Sequence, residues 1–156
     1  MSLDKAKAHL KACGLDERII ILEDSSATVA LAAKALGTEE AQIAKTMSFT
    51  VNDQTILILL AGDARIDNRK FKDAFHTKAK MVPFAEVEAK TGHMAGGVCP
   101  FGINGDVLTY LDESLKRFDI VYPACGTSHS AVRLNVNELE TCAQNLKGWV
   151  NVSKLS

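Results

Sequence analysis

Three short stretches carry residue types that could do chemistry. In "IAKTMSFTV" (43–51), strand alternation would put Ile43, Lys45, Met47, Phe49 and Val51 on one face and Ala44, Thr46, Ser48 and Thr50 on the other. A lysine therefore falls on an apolar face. Either Lys45 lies at a strand end and reaches water over its methylene stem, or its ammonium stands at the mouth of a pocket, where desolvation makes it a strong handle for phosphate or carboxylate. The stretch "TGHMAGGVCPFG" (91–102) holds four of the ten glycines together with His93, Cys99 and Pro100. Paired Gly96 and Gly97 either let the backbone approach a ligand closely or simply turn the chain, and Pro100 stiffens the return. The spacing is neither that of a dinucleotide loop nor that of a P-loop. In "CGTSHSAV" (125–132), a glycine and three hydroxyl residues, Ser128 among them, surround His129. That histidine is a neutral-pH proton carrier if it faces a substrate, and a solvated bystander if it does not.

Other chemistries find less support. A thiol nucleophile at Cys99 would need a lowered thiol pKa and a positioned base, and the sequence supplies neither condition. Cys13, Cys99, Cys125 and Cys142 make no C-x-x-C pair, and His9, His76 and His93 are not spaced as a metal pair, so neither a metal nor a cofactor is expected. The longest apolar run, "TILILLAG" (55–62), falls well short of the ~20 residues of a membrane span, and "MSLDKAKAHL" has no signal-peptide hydrophobic region. The expectation is a cytoplasmic protein with no membrane contact, four reduced thiols and no disulfide. A net charge of −1, from 18 basic and 19 acidic residues, gives no footprint for gripping long DNA, so any nucleic-acid contact has to be small or local.

The elements that must position these residues alternate between helix and strand signals. Ser2 can cap a first helix that stops at Gly14, and 18–22 reads as a strand. Asp24, Ser25 or Ser26 caps an alanine-rich helix ended by Gly37. Residues 43–62 read as a hairpin turning at Asn52, Asp53 and Gln54. Asp67 caps a helix running to about Phe75. "AKMVPF" is a brief strand and "AEVEAK" a short helix ended by Gly92. "VLTYLD" and "DIVYPA" are strands around a short helical "ESLKRF", and "SAVRLN" is a further strand. Asn135 and Glu138 form a capping box for "VNELETCAQNL", and "GWVNVS" closes the chain as a strand. About seven strands and five helices in irregular order predict one α+β domain over 1–156, with a mixed, largely antiparallel, barrel-like sheet and surrounding helices.

Taken in order and at their spacings, "AKTM" (44–47), "TGHMAGGVCPFG" followed by "VLTYLD", and "DIVYPACGTSHSAVRLNVNELE" resemble the YbaK and prolyl-tRNA synthetase editing-domain family. The likeness runs from about Leu22 to Ala143. It implies a free-standing, trans-acting deacylase that hydrolyses the ester of a mischarged tRNA at its 3′ acceptor end. By the resemblance, Lys45 is the anchor for the tRNA terminus, with Thr46 after it, and the G-x-x-x-P loop is Gly96, Gly97, Val98, Cys99 and Pro100. Gly97 and its neighbours would orient the ester through the backbone, while His129 and Ser128 would shape the pocket or relay a proton. An activated ester needs mainly a positioned water or ribose hydroxyl and donors aimed at the oxyanion, so neither metal nor triad is required. "CGTSH" departs from the "GGKRG"-like segment of the cysteinyl-specific branch, and Thr46 replaces an asparagine of the alanyl-specific editors. Alanine, serine, threonine and cysteine all stay open, as does the tRNA, tRNA(Pro) or a similar one. A synthetase or elongation factor is the implied helper. The rival reading is a non-catalytic module that binds the tRNA aminoacyl end or a synthetase.

Overall fold

The computed structural model describes residues 2–155. In chain order the elements are α1 (Ser2–Ala12), β1 (Ile19–Ile21), α2 (Val29–Leu36), β2 (Ile43–Val51), β3 (Gln54–Ala61), β4 (Ala64–Ile66) and α3 (Asn68–Phe75). They continue as α4 (Val87–Thr91), β5 (Leu108–Asp112), β6 (Ile120–Pro123), β7 (Ser130–Val132), β8 (Leu134–Asn135), α5 (Val136–Cys142), β9 (Leu146–Val150) and β10 (Ser153–Leu155). A curled six-stranded sheet in the order β8-β6-β2-β3-β5-β9 forms a half-barrel, with β1-β7 and β10-β4 as separate two-stranded ribbons. Antiparallel pairings outnumber parallel ones four to three among the described residues. The domain is α+β with a mixed sheet, as the alternating signals predict.

The hairpin of β2 and β3 lies at the middle of that sheet. Asn52 and Asp53, both at positive φ, make a two-residue turn, and Val51 pairs with Gln54 directly across it. From Ile56 to Ala61 every residue of β3 is buried, because both faces of the strand are covered. Each such leucine or isoleucine contributes about 1.5–3 kcal/mol of transfer free energy, which fixes β3 and, through its register, the position of Lys45 on β2. Beyond β3, Phe49, Phe71, Phe75 and Tyr110 stack in a chain with ring centroids 4.7–5.1 Å apart.

The caps follow the sequence in two helices and differ in one. Asp67 accepts from the amides of Arg69 and Lys70, and Asn135 and Glu138 complete the capping box of α5. For α2, however, the cap is Thr28, whose hydroxyl accepts from Leu31, and not Asp24, Ser25 or Ser26. The backbone of Ser26 is committed elsewhere, donating to the Ser128 carbonyl at 2.5 Å. "ESLKRF" forms a 3-10 turn, and α5 ends at Cys142, which frees Leu146 to begin β9.

The expectation of four reduced thiols is overturned. Cys13, just past α1, and Cys142, at the end of α5, form a disulfide with Cα atoms 6.0 Å apart. They are 129 residues apart in the chain, so only the packing of the two helix ends reveals the pair. Cys99 and Cys125 are free and buried. Among the described residues no helix is long and apolar enough to cross a membrane.

Candidate functional site

A cavity of about 290 Å³ opens between the start of α2, the first half of β2, the end of β6 and the glycine-rich loop. Small side chains give it its volume: Ala32 from α2, Ala44 from β2, Ala124 after β6 and Ala131 from β7 all line it. Tyr122 and Ile43 stand opposite each other in the β2–β6 register and close one side.

Lys45 lies on the wall of this cavity, half-buried, with its Nζ 3.5 Å from the carbonyl oxygen of Gly62. Burial pushes its pKa below the ordinary 10.5, while the Asp63 carboxylate pulls the other way. Asp63 is itself gripped by both terminal nitrogens of Arg117, at 3.0 and 2.5 Å, which holds its carboxyl below the usual range. The lysine thus meets the cavity as a partly desolvated ammonium at the edge of an arginine-held carboxylate, an arrangement suited to an anionic or polarised ligand group. Next to it, the Thr46 hydroxyl is buried without a hydrogen-bond partner and also belongs to the lining.

The loop presents alternate residues to two different environments. Gly96 and Val98 line the cavity, and no acceptor among the described residues takes either backbone N–H. Gly97 faces away. Its N–H donates to the Met94 carbonyl at 3.0 Å and its own carbonyl accepts from Gly126 at 2.9 Å. A Cβ placed on Gly97 would lie 2.4 Å from Gly126 C and Thr127 N, so the close approach this glycine permits is to the neighbouring loop and not to a ligand.

Cys99 and Pro100 are buried behind the loop. The Cys99 Sγ lies 3.5 Å from His93 Nε2, a pairing that could suggest a thiol nucleophile and its base. Its surroundings act against that. Burial pushes the Cys99 thiol far up and pushes the His93 imidazole down, so neither charged partner is favoured, and His93 Nε2 also contacts the Phe101 carbonyl at 2.6 Å. The neutral pair packs the underside of the loop.

His129 is exposed, with Nδ1 3.0 Å from the Ser128 hydroxyl, and neither residue belongs to the cavity lining. Both flank it, between Ser26 and Ser130, which do. Of the residues expected from the sequence, Lys45, Thr46, Gly96 and Val98 therefore converge on one cavity, and Gly97, Cys99, Pro100, Ser128 and His129 surround it. Sequence reading missed Ser26 to Val29, Tyr122 and Ser130. Thr28 gave a signal, being a cap-type residue directly before an apolar helix; the alanines gave none.

The cluster of His9, Cys13 and Cys142 has ligand-type atoms within 4.8 Å of one another. Its two sulfurs are bonded together and His9 Nε2 is held at 2.5 Å by the Cys142 carbonyl, so the donor set is already consumed.

Comparison with known proteins decides the family. The model described as "Aminoacyl-tRNA editing domain" matches residues 23–142. The chain belongs to the aminoacyl-tRNA editing domain family. It is 45% identical over 155 residues to YwhH of Bacillus subtilis, a protein of uncharacterised function, covering 99% of this chain and 98% of that one. It is 29% identical over 105 residues to EbsC of Enterococcus faecalis, proposed to be a Cys-tRNA(Pro)/Cys-tRNA(Cys) deacylase, covering 65% of this chain and 63% of that one. Among solved structures, it is similar to a proposed trans-editing enzyme for prolyl tRNA synthetase, with a TM-score of 0.85, 28% identity, and coverage of 98% of this chain and 97% of the other.

Proposed function

We propose that the protein is a trans-acting aminoacyl-tRNA deacylase that clears a small wrong amino acid from tRNA(Pro) or a similar tRNA in the cytoplasm. The observation that carries this reading is the convergence of the Lys45 ammonium with Gly96 and Val98 on one cavity of about 290 Å³. In the mechanism, Lys45 holds the 3′ terminus of the tRNA by its negative charge. The free N–H groups of Gly96 and Val98 take the role expected of Gly97, donating to the oxyanion that develops on the ester carbonyl. Because the ester is activated, attack by a water held against the terminal ribose hydroxyl suffices: the bond between the acyl carbon and the ribose oxygen breaks, the water's proton reaches that departing oxygen by way of the neighbouring hydroxyl or solvent, and the amino acid leaves as its carboxylate. Thr46 offers a hydroxyl to the bound aminoacyl group, and the ring of alanines admits the side chain of alanine, serine, threonine or cysteine. Ser128 and His129 shape the entrance, with Cys99 and Pro100 supporting the loop from behind.

The test is a panel of 3′-labelled mischarged tRNAs incubated with the wild type and with Lys45→Ala. Release of a small amino acid by the wild type, lost in the variant, is expected. No hydrolysis of any substrate by the wild type would leave only a binding role for the site, and equal rates in both proteins would remove Lys45 from the mechanism.

A further inference from the structure

A chain with net charge −1 has to hold a polyanion locally, and one segment concentrates basic side chains. Residues 68–80 carry five basic side chains, Arg69, Lys70, Lys72, Lys78 and Lys80, against one acidic, Asp73. Four cations elsewhere are paired: Arg18 with Glu138, Lys90 with Glu86, Lys116 with Glu113 and Arg117 with Asp63. Among the described residues, no carboxylate comes within ion-pairing distance of Arg69, Lys72, Lys78 or Lys80, and all four are exposed. Leaving four like charges unneutralised costs self-repulsion that a nearby glutamate would relieve.

Three of them also converge. Arg69 and Lys72 from α3 and Lys78 from the segment after it line one surface groove. That segment docks on β2: the Thr50 amide donates to the Lys80 carbonyl at 2.9 Å, Met81 bridges Phe49, and the Val82 amide donates to the Ser48 carbonyl at 3.0 Å. Since β3 takes one edge of β2, this segment and β6 share the other, in succession. Tyr122 of β6 closes the cavity at the Ile43 end of that edge, and the cationic segment follows at the Ser48 to Thr50 end. From Thr46 in the cavity wall to Thr50 is about 13 Å along the strand. Phe84, 83% exposed, stands just beyond the same segment.

We propose that the groove of Arg69, Lys72 and Lys78, with Lys80 beside it, binds the phosphate backbone of the tRNA acceptor arm while its 3′ end occupies the cavity. This rests on the deacylase reading for the identity of the RNA. The shared edge of β2 aligns the two sites, so that a strand leaving the cavity along that edge comes first to the Lys80 end of the segment and then to the groove. Binding here is by charge and is blind to sequence, which leaves discrimination to the cavity. Phe84 offers a ring on which an unpaired base stacks.

The experiment measures binding of an uncharged tRNA transcript over a salt series, and hydrolysis of a mischarged tRNA beside that of an aminoacylated CCA trinucleotide. In the triple variant Arg69→Gln, Lys72→Gln, Lys78→Gln, affinity at low salt is expected to fall about tenfold or more. The slope of log K against log salt is expected to shrink by roughly two to three. KM for the full tRNA rises with kcat unchanged, and the trinucleotide is hydrolysed as by the wild type. The charge-conserving triple, Arg69→Lys, Lys72→Arg, Lys78→Arg, restores binding, which separates lost charge from lost folding. Phe84→Ala weakens binding severalfold at unchanged slope, and unaltered affinity in that variant removes Phe84 from the surface. Unchanged affinity and slope in the glutamine triple, or an equal loss on the trinucleotide, overturns the proposal. A wild type that hydrolyses nothing yet binds tRNA through these cations overturns the deacylase reading and leaves the surface standing.

Discussion

The two sides of the 96–101 loop are built for different purposes. On the cavity side, Gly96 and Val98 keep their amide groups unbonded and border a half-buried lysine and an unpartnered threonine hydroxyl. On the core side every polar group of Gly97 is bonded, Cys99 and Phe101 are fully buried, and the Pro100 carbonyl accepts from the Gln144 amide at 2.8 Å. One side leaves its hydrogen-bonding capacity open and the other spends it. An oxyanion site needs donors that stay fixed while charge develops, and the bonded side is what keeps the open side from collapsing onto itself. The contrast also explains why Cys99, the loop residue with the most reactive chemistry, is set where burial suppresses that chemistry.

The comparison can be broken in order of expected effect. Lys45→Ala, on the open side, is expected to lower deacylation about 10²–10³-fold with an unchanged melting temperature, read by single-turnover hydrolysis and thermal unfolding. Opening Cys13–Cys142, on the bonded side, releases a closed loop of 129 residues and should cost about 2–5 kcal/mol, seen as a lower Tm with a thiol reductant and in Cys13→Ser. Gly97→Ala, whose Cβ would lie 2.4 Å from backbone, is expected to destabilise by about 1–3 kcal/mol and to lower activity by displacing the loop; an unshifted Tm would deny the close contact.

A smaller effect separates binding from stability through pH. The lowered pKa of Lys45 means the unfolded chain binds more protons than the folded one as pH approaches 10.5, so this residue makes stability rise with pH in that window. Its ammonium is lost over the same window, so affinity for an uncharged CCA trinucleotide, which does not reach the α3 groove, should fall there in the wild type more than in Lys45→Arg. Smallest of all, Cys99→Ser should leave deacylation unchanged and cost about 1 kcal/mol of stability, and the Cys99 thiol should resist alkylation until the protein is unfolded.

What the sequence shows of this site follows from which interactions are local. The β2–β3 hairpin is legible because Asn52 and Asp53 tolerate positive φ between two β-rich runs, and the α5 capping box because both partners lie three residues apart. Lys45 is legible as an oddity on an apolar face. The division of labour within the loop is not, because G-x-x-x-P describes where the chain can bend and says nothing of which amide finds a partner in the 125–127 loop. The Thr28 cap stands behind three other cap-type residues, Asp24, Ser25 and Ser26, and the Ser26 bond that decides between them reaches across to Ser128. The disulfide and the alanine-lined cavity depend wholly on long-range packing, and alanine carries no mark that distinguishes a cavity wall from a helix surface.

Helix α1 lies outside the 23–142 span that the family model matches, yet it bears on the back of the site. Lys5 Nζ donates to the Gly92 carbonyl, and Cβ atoms on Gly102 and Gly126 would fall 2.5 and 2.6 Å from the carbonyl oxygens of Lys5 and Ser2. Gly102, just after the loop, and Gly126, in the neighbouring loop that it packs on, are thus shaped to this helix, and the disulfide ties its far end to α5. The span of the family model and the boundary of mechanical integrity therefore do not coincide in this protein: a chain trimmed to residues 23–142 would keep every residue that lines the cavity and lose the abutment they lean on.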